Sequence, residues 1–201
     1  MELIQPIFVN QSGSTREAGL GIANSSYSQT DIIERIQKDV DLGIDSFLLF
    51  ITPDTKTWLP TWDFQAEVVN KIKNKFPTIQ LIVDVCLCST LPDGHCRVID
   101  KPDTSESLLI DLGRKLETAG ADVLAPSDMG DNTVTNLKQE TKKEVMAYVK
   151  WRSVFYSSFR DLAESSPTSG RSYQLPVDNG FGMVATANQY KSQKADYILL
   201  K

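Results

Sequence analysis

The chain has 201 residues, of which 41% are hydrophobic and 23% charged, a composition typical of one globular domain spanning residues 1–201. Its net charge of −5 argues against a nucleic-acid-binding surface, and no apolar run reaches the length needed to span a membrane. No secretory signal precedes the first apolar residues and the thiols are clustered, so we expect a reducing, cytoplasmic setting.

The first half of the chain predicts strands and helices in alternation. Strands are expected at 3–9 and at 46–51, and the second is a continuous apolar run typical of a parallel sheet buried on both faces. Helices are expected at 30–43 and at 63–76, because apolar residues recur there at helical spacing between capping and stop signals. Residues 10–27, rich in Gly, Ser and Asn, are expected to form a long loop.

The second half continues the alternation, beginning with a strand that ends in cysteines. Strands are predicted at 79–88, 122–125, 145–149, 173–175 and 196–200. Helices are predicted at 104–119, 133–142, 151–162 and 183–190. Residues 164–172 have the composition of a mobile flap.

Seven strand–helix units predict an α/β fold with a parallel sheet and right-handed crossovers. We expect a TIM-type (β/α) barrel that is incomplete, with about seven strands, since the chain is shorter than the roughly 250 residues of a full barrel. A flavodoxin-like open sheet is the competing architecture. The barrel is favoured because reactive residues end several predicted strands, and barrel enzymes assemble their sites on that face: Cys86, Ser127, Asp128, Lys150 and Lys201.

All three cysteines of the chain fall within residues 83–96, which read VDVCLCSTLPDGHC. Strand side chains two apart share a face, so Cys86 and Cys88 point the same way, and a turn-rich loop returns Cys96 beside them. Inert buried thiols, a disulfide and a metal site are the three interpretations. Three thiolates with an open fourth position favour Zn²⁺ in a catalytic arrangement. His95 is expected to hydrogen-bond in the loop or to a substrate rather than to be a fourth ligand.

Two lysines end the fifth and seventh predicted strands, Lys150 and Lys201. A lysine becomes a nucleophile when desolvation or a nearby cation lowers the pKa of its amine, and two facing lysines would do this to each other. The product with a carbonyl substrate would be a Schiff base. The alternative is that both are solvated surface lysines, as most lysines are.

Motifs along nearly the whole chain follow one another in a known order. They are DVCLC at 84–88, DGHC at 93–96, AGADVLAPSDM at 119–129, FRD at 159–161, SSP at 165–167, YQL at 173–175 and ADYILLK at 195–201. In these motifs the chain resembles the porphobilinogen synthase family, also called 5-aminolevulinate dehydratase. The resemblance implies a (β/α)₈ barrel lyase of tetrapyrrole (heme) biosynthesis, which condenses two molecules of the amino ketone 5-aminolevulinate into porphobilinogen.

The resemblance also implies roles for individual residues. Lys201 would form a Schiff base with the substrate that becomes the propionate side, and Lys150 would form or assist the second imine. Zinc would be held by Cys86, Cys88 and Cys96. The residues expected to bind substrate or to line its pocket are Asp84, Ser127, Asp128, Tyr156, Arg160, Arg171 and Gln174.

Relative to that family, the chain is expected to be a shortened member that lacks the N-terminal arm and the eighth-strand region at the C-terminus. An incomplete barrel exposes sheet edges, so we expect a homo-oligomer, though not the arm-dependent higher assembly of the family. Two alternatives to this condensing enzyme stay open. One is a non-catalytic or partner-dependent paralogue that keeps the metal site, and the other is a related Schiff-base enzyme with a different amino ketone or amino acid substrate.

Overall fold

The computed structural model describes residues 3–17, 25–150, 157–165, 167 and 169–200. The described strands are β1 (Ile4–Asn10), β2 (Arg16–Glu17), β3 (Ser25–Tyr27), β4 (Ser46–Thr52), β5 (Gln80–Val85), β6 (Val123–Pro126), β7 (Glu144–Tyr148) and β8 (Tyr197–Leu199). The described helices are α1 (Asp31–Asp41), α2 (Asp63–Lys75), α3 (Pro102–Ala119), α4 (Thr133–Glu140), α5 (Ser157–Leu162) and α6 (Gly180–Ser192). None of these helices combines the length and the apolar character needed to cross a bilayer.

The described strands form one sheet in the order β2-β3-β1-β4-β5-β6-β7-β8. Every neighbouring pair is parallel except β2 and β3. Parallel neighbours need long crossover connections, and from β4 to β7 a helix follows each strand and precedes the next. The predicted α/β class with a mainly parallel sheet is therefore confirmed.

Strand β4 shows why the sheet holds together, because all seven of its residues are buried. Phe47 and Leu49 join the larger core, to which the described helices other than α5 contribute. Leu48 and Phe50 join a second core on the opposite face, where Phe159 of α5 meets the Phe50 ring edge-on, with 4.6 Å between ring centroids. Both faces of the strand are thus covered by apolar residues, which is the origin of its uninterrupted apolar sequence.

Helix α3 shows how single residues set the ends and the packing of an element. Pro102 begins the helix, at a position where its missing N–H has no intrahelical partner to lose. Gly120 ends it with a φ of 108°, a left-handed conformation that favours glycine. Gly113 lets the helix approach α4, because a Cβ there would lie 2.5 Å from Leu137 Cδ2.

The segment 10–27, which the sequence predicts to be a loop, contains two short strands of the sheet, β2 and β3. Strand β3 pairs in parallel with β1, with Ser26 opposite Phe8. The side chain of Asn10 donates hydrogen bonds to the Ser26 carbonyl and hydroxyl oxygens, both at 3.0 Å. Buried polar contacts fix this strand, so it carries no apolar alternation for sequence analysis to detect.

The predicted strand at 173–175 is reduced to a single bridging residue. Leu175 donates its backbone N–H to the Lys150 carbonyl oxygen at 2.6 Å, while the two residues before it lie in a turn. The predicted helix at 151–162 is represented by α5 alone, since residues 151–156 lie outside the described part of the chain.

Asp122, just before β6, connects this strand to β5 and to α2. Its Oδ2 accepts hydrogen bonds from Lys73 Nζ and from the Leu81 N–H, both at 2.8 Å. We expect Asp122→Asn to lower the free energy of unfolding by about 1–2 kcal/mol, because the charge-assisted bonds weaken in a partly exposed position. Urea unfolding measures this change. Glu140→Gln, which breaks an exposed pair with Arg114, is the control, and an equal loss in both variants would contradict the role of Asp122.

Candidate functional site

Three thiols meet just beyond the carboxyl end of β5. Their Sγ atoms all lie within 4.8 Å of one another, and the sulfurs of Cys86 and Cys88 are 3.2 Å apart. Gly94 takes a left-handed conformation, with a φ of 67°, in the loop that returns Cys96 to the other two. All three residues are buried and free of disulfides. The structure brings together the residues that the spacing predicts, and the trio can hold a metal ion.

The three thiols differ in how readily they ionise. Burial raises the pKa of the Cys86 thiol, and hydrogen bonds with the other two thiols raise it further. The pKa of Cys96 is well below its ordinary value, because hydrogen bonds from the Cys86 and Cys88 thiols stabilise its thiolate.

A cavity at this end of the sheet connects the thiols with four of the predicted substrate-binding residues. Asp84 lies near the end of β5, and Ser127 directly follows β6. Arg171 and Gln174 come from the segment after α5 and line the same cavity. Carboxyl ends of parallel strands and a later segment therefore enclose one space, as in other sites of α/β proteins.

Two polar atoms on the wall of this cavity lack a hydrogen-bond partner among the described residues. They are Arg171 Nε and Gln174 Oε1, and both are buried. Leaving a buried polar atom unpaired costs about 1–3 kcal/mol, so these atoms point to a polar ligand. The other end of the Arg171 guanidinium is fixed, because Nη2 donates to the Ser165 carbonyl oxygen. A guanidinium held in this way suits a carboxylate group.

Two predicted binding residues do not line this cavity. Arg160 is half-buried in α5. Asp128 is buried in the loop after β6, where it accepts hydrogen bonds from Thr133 Oγ1 at 2.9 Å and from the Gly130 N–H at 3.0 Å. Its Oδ2 also lies 3.5 Å from Arg97 Nη1. Asp128 therefore organises its own loop, and a direct contact of either residue with substrate stays a prediction.

The buried carboxyl group of Asp128 predicts a pH dependence of stability. Burial raises its pKa from 3.8 to about 6, and the nearby Arg97 charge offsets only part of this effect. The folded protein thus holds this proton more tightly than the unfolded chain, so the contribution of Asp128 to stability is largest below about pH 4 and falls as the pH rises through about 6. Between these pH values we expect the free energy of unfolding to fall by a contribution on the order of 3 kcal/mol. Urea unfolding at several pH values should show that the free energy of unfolding falls more with rising pH in the wild type than in Asp128→Asn. A difference in this free energy between the two proteins that does not change with pH would contradict the role of Asp128.

Of the two predicted lysines, the structure describes Lys150. Its Nζ forms an ion pair with Asp131, and Lys150 is not among the residues that line the cavity with the thiols. The hydrogen bond from Lys150 holds the pKa of Asp131 below its ordinary value. Gln189 and Gln193 of α6 donate to the Asp131 carbonyl oxygen at 3.3 Å and 2.5 Å. Helix α6 therefore fixes the loop that carries the partner of Lys150.

The other predicted lysine, Lys201, and the predicted pocket residue Tyr156 lie outside the described part of the chain. The strand before Lys201 is described, and β8 pairs in parallel with β7, with Leu199 opposite Tyr148. The Val149 N–H donates to the Leu199 carbonyl oxygen at 3.1 Å. The two strands after which the lysines follow in sequence are therefore neighbours in the sheet.

Sequence analysis gave no role to Tyr173, which the structure places against the cysteine loop. Its hydroxyl accepts a hydrogen bond from the Cys96 N–H at 3.1 Å and shares another with His95 Nδ1 at 3.1 Å. The single histidine therefore hydrogen-bonds at the loop, one of the two outcomes expected of it. An aromatic residue between the predicted binding residues Arg171 and Gln174 was the available signal, but its partner lies far away in sequence.

Comparison with known proteins gives a consistent result. The family model described as delta-aminolevulinic acid dehydratase matches residues 1–201. Proteins of that name from Halalkalibacterium halodurans and Bacillus subtilis are 31% and 30% identical to the chain, and the matches cover all of it and 67% and 68% of those proteins. The solved delta-aminolevulinic acid dehydratase (porphobilinogen synthase) of Toxoplasma gondii, in complex with the reaction product porphobilinogen, superposes with a TM-score of 0.89 at 26% identity. That match covers 98% of this chain and 63% of the solved one, and it supports the predicted TIM-type (β/α) barrel class.

Proposed function

Because this chain belongs to the delta-aminolevulinic acid dehydratase family, we propose that it is a lyase that condenses two molecules of 5-aminolevulinate into porphobilinogen for tetrapyrrole synthesis. The chain spans about two thirds of the length of its curated relatives, so the activity of those whole proteins is part of the proposal. The observation that carries it is the one cavity that the three cysteines line together with Arg171 and Gln174, each of which has a buried polar atom without a partner among the described residues.

The proposed chemistry begins with an amine and a ketone. The free amine of Lys201 attacks the carbonyl carbon of the first substrate, and loss of water leaves a Schiff base. Lys150 forms or assists the second imine. Support comes from the register of β7 and β8: Tyr148 and Leu199 are paired, and each lysine follows its strand residue by two positions. Lys150 must first leave its ion pair with Asp131 before its amine can reach a substrate carbonyl carbon.

The proposed cofactor is a zinc ion held by Cys86, Cys88 and Cys96. Three buried sulfurs within 4.8 Å of one another fit the thiolate ligands that zinc prefers, and three ligands leave a fourth position for a substrate. When bound there, zinc would polarise the carbonyl group of the second substrate. The cysteine loop itself fixes the ligands on one wall of the cavity and so sets where that substrate lies.

The proposed substrate contacts use the remaining residues of the site. Arg171 and Gln174, with Arg160 in α5, would pair with a substrate carboxylate, for which a guanidinium is suited. Asp84, Ser127 and Asp128 would serve the zinc side of the site, and Tyr156 would pack near the lysine. Two identical substrates would then react asymmetrically because differently equipped pockets hold them in line.

The proposed setting is the cytoplasm, and the proposed assembly is a homo-oligomer. In the described sheet, β2 and β8 each have one neighbouring strand, and large apolar side chains near β8 are exposed. Ile198 of β8 is 37% exposed, and Phe181 at the start of α6 is 94% exposed. Association of chains would cover such surface, since unpaired edges and apolar patches favour pairing with another chain.

A metal-binding protein without catalysis is the second candidate, and the state of Lys150 is the observation that favours it. The Lys150 amine is engaged with Asp131, and Lys150 is not among the described residues that line the cavity with the thiols. This candidate keeps the zinc site and loses the imine chemistry.

One experiment separates the two candidates. The purified chain is incubated with zinc and ¹³C-labelled 5-aminolevulinate, and pyrrole formation is followed by NMR while bound zinc is measured in the same sample. Zinc-dependent formation of porphobilinogen, lost on chelation and restored by zinc, supports the condensing enzyme. Bound zinc without any pyrrole supports the second candidate, and pyrrole from another amino ketone alone would change the assigned substrate.

A further inference from the structure

The residues 169–175, here called the cover segment, contact the cysteine loop through Tyr173. The Tyr173 hydroxyl accepts a hydrogen bond from the Cys96 N–H at 3.1 Å and shares a second with His95 Nδ1 at 3.1 Å. Its ring packs against the cluster of three cysteines. One side chain therefore makes polar contacts with the loop and apolar contacts with the thiols.

His95 extends this connection to the beginning of the cover segment. Its Nε2 lies 2.9 Å from Ser169 Oγ, and only 2% of the residue is exposed. Both ring nitrogens of the histidine are thus used by the cover segment, one at Ser169 and one at Tyr173. Three hydrogen bonds in all join two parts of the chain that are more than 70 residues apart in sequence.

The cover segment also carries the two cavity residues with unpaired polar atoms. Arg171 and Gln174 lie on either side of Tyr173 in sequence, and the Gln174 N–H donates to the Arg171 carbonyl oxygen at 3.1 Å. Residues in one hydrogen-bonded turn move together, so the contacts that hold Tyr173 on the cysteine loop also hold Arg171 and Gln174.

We infer that Tyr173 is a positioning residue, which latches the cover segment onto the cysteine loop and so holds Arg171 and Gln174 at the cavity. The inference rests on the proposed function and deepens it, because the segment that carries the substrate-binding residues and the loop that carries the metal ligands would become ordered together. Anything that orders the cysteine loop then favours the closed cover segment, and closure of the cover segment favours ligand binding by the loop.

The charges at the site add a second reason for this coupling. A divalent cation with three thiolates carries one net negative charge, and Arg171 brings a positive charge to the same cavity wall. A closed cover segment therefore places a compensating charge beside the thiolates in a buried setting, where opposite charges attract strongly. Zinc bound by the cysteines and a closed cover segment should stabilise each other.

Trypsin cleavage after Arg171 tests the latch, because the protease needs the cover segment to open. Tyr173→Phe removes the hydroxyl but keeps the ring that packs against the thiols. We expect cleavage after Arg171 to become about 5- to 30-fold faster, the effect of losing one or two hydrogen bonds on the open population. The matched control is Tyr197→Phe, whose hydroxyl donates to Glu144 on the exposed part of β8. Cleavage after Arg114 in α3 reports global unfolding.

Zinc affinity, measured by competition with a chromophoric chelator, is the second readout. Zinc should slow cleavage after Arg171 in the wild type, and Tyr173→Phe should weaken zinc binding to the extent that it populates the open state of the metal-free protein. Ser169→Ala, which removes only the outer contact of His95, should change both readouts in the same direction but less. This variant decides the matter if Tyr173→Phe does not fold.

Equal rates of cleavage after Arg171 in the wild type and in both variants would overturn the latch. Faster cleavage after Arg171 and Arg114 together would also overturn it, because the hydroxyl would then serve global stability only. If the wild type binds no zinc, the metal part of the proposed function fails, but the cleavage comparison on the metal-free proteins still decides the inference.

Discussion

Replacing Lys201 with alanine is expected to abolish the borohydride-stable adduct of 5-aminolevulinate at position 201 and to lower the rate of porphobilinogen formation on the order of 10³-fold or more. An imine between the lysine and the ketone is reduced by borohydride to a secondary amine, which survives digestion. Peptide mass mapping then identifies the modified residue. The large effect follows because the imine with Lys201 holds one of the two substrates covalently, and alanine forms no bond in its place.

Two further lysine variants make this result specific. Lys194→Ala removes an exposed lysine of the same region and should leave adduct and rate unchanged. Lys150→Ala should lower the rate while the adduct on Lys201 still forms, because the two amines have different roles in the proposal. An adduct that persists in Lys201→Ala, or that forms only on Lys150 in the wild type, would refute the assignment of Lys201.

The contact with Asp131 places a condition on any catalytic role of Lys150. The Lys150 amine is engaged in an ion pair with Asp131, and two glutamines of α6 fix the loop of Asp131. A catalytic role for Lys150 therefore requires that this pair opens when substrate arrives. In the sequence these residues lie 19 positions apart, and Asp131 is interpreted there only as a cap of the following helix.

The fold could be predicted wherever a local pattern reported burial. Strand β4 is apolar throughout because it is covered on both faces, and α3 is bounded by Pro102 and Gly120. Strand β3 could not be predicted in this way. Its place in the sheet depends on Asn10, whose side chain bonds to the strand at Ser26, and no periodicity in the sequence records such a contact.

The same distinction holds for the candidate site. The three cysteines could be grouped from sequence because they lie within eleven positions around a turn-rich loop. The predicted alternation along a strand was wrong, since β5 ends at Val85 and Cys86 and Cys88 lie in the turn that follows it. The contact of Tyr173 with His95 spans 78 residues, and the pairing of Asp128 with Thr133 depends on how one loop folds. Contacts that depend on tertiary folding follow no regular spacing in the sequence, so the structure is needed to identify the residues that make them.

Replacing any one of the three cysteines with alanine is expected to remove tightly bound zinc from the protein. Zinc then keeps only two of its three protein ligands. We expect its affinity to fall on the order of 10³-fold, so that it is lost during gel filtration. Metal analysis by mass spectrometry measures the zinc content per chain. The three variants are clean tests, because the sequence contains no other cysteine that could substitute for Cys86, Cys88 or Cys96.

Thermal unfolding supplies an independent readout of the same site. Free zinc at a thousandfold excess over its dissociation constant should stabilise the wild type by about 4 kcal/mol, since metal that binds only the folded state adds to the free energy of unfolding. The cysteine variants should lose this zinc-dependent gain. Ser89→Ala is the matched control, because Ser89 lines the same cavity next to Cys88 but bonds to the Ile51 carbonyl oxygen. Unchanged zinc content and an unchanged zinc-dependent gain in all three cysteine variants would show that the thiols are inert core residues, and the proposed asymmetry between the two substrates would then lose its physical basis.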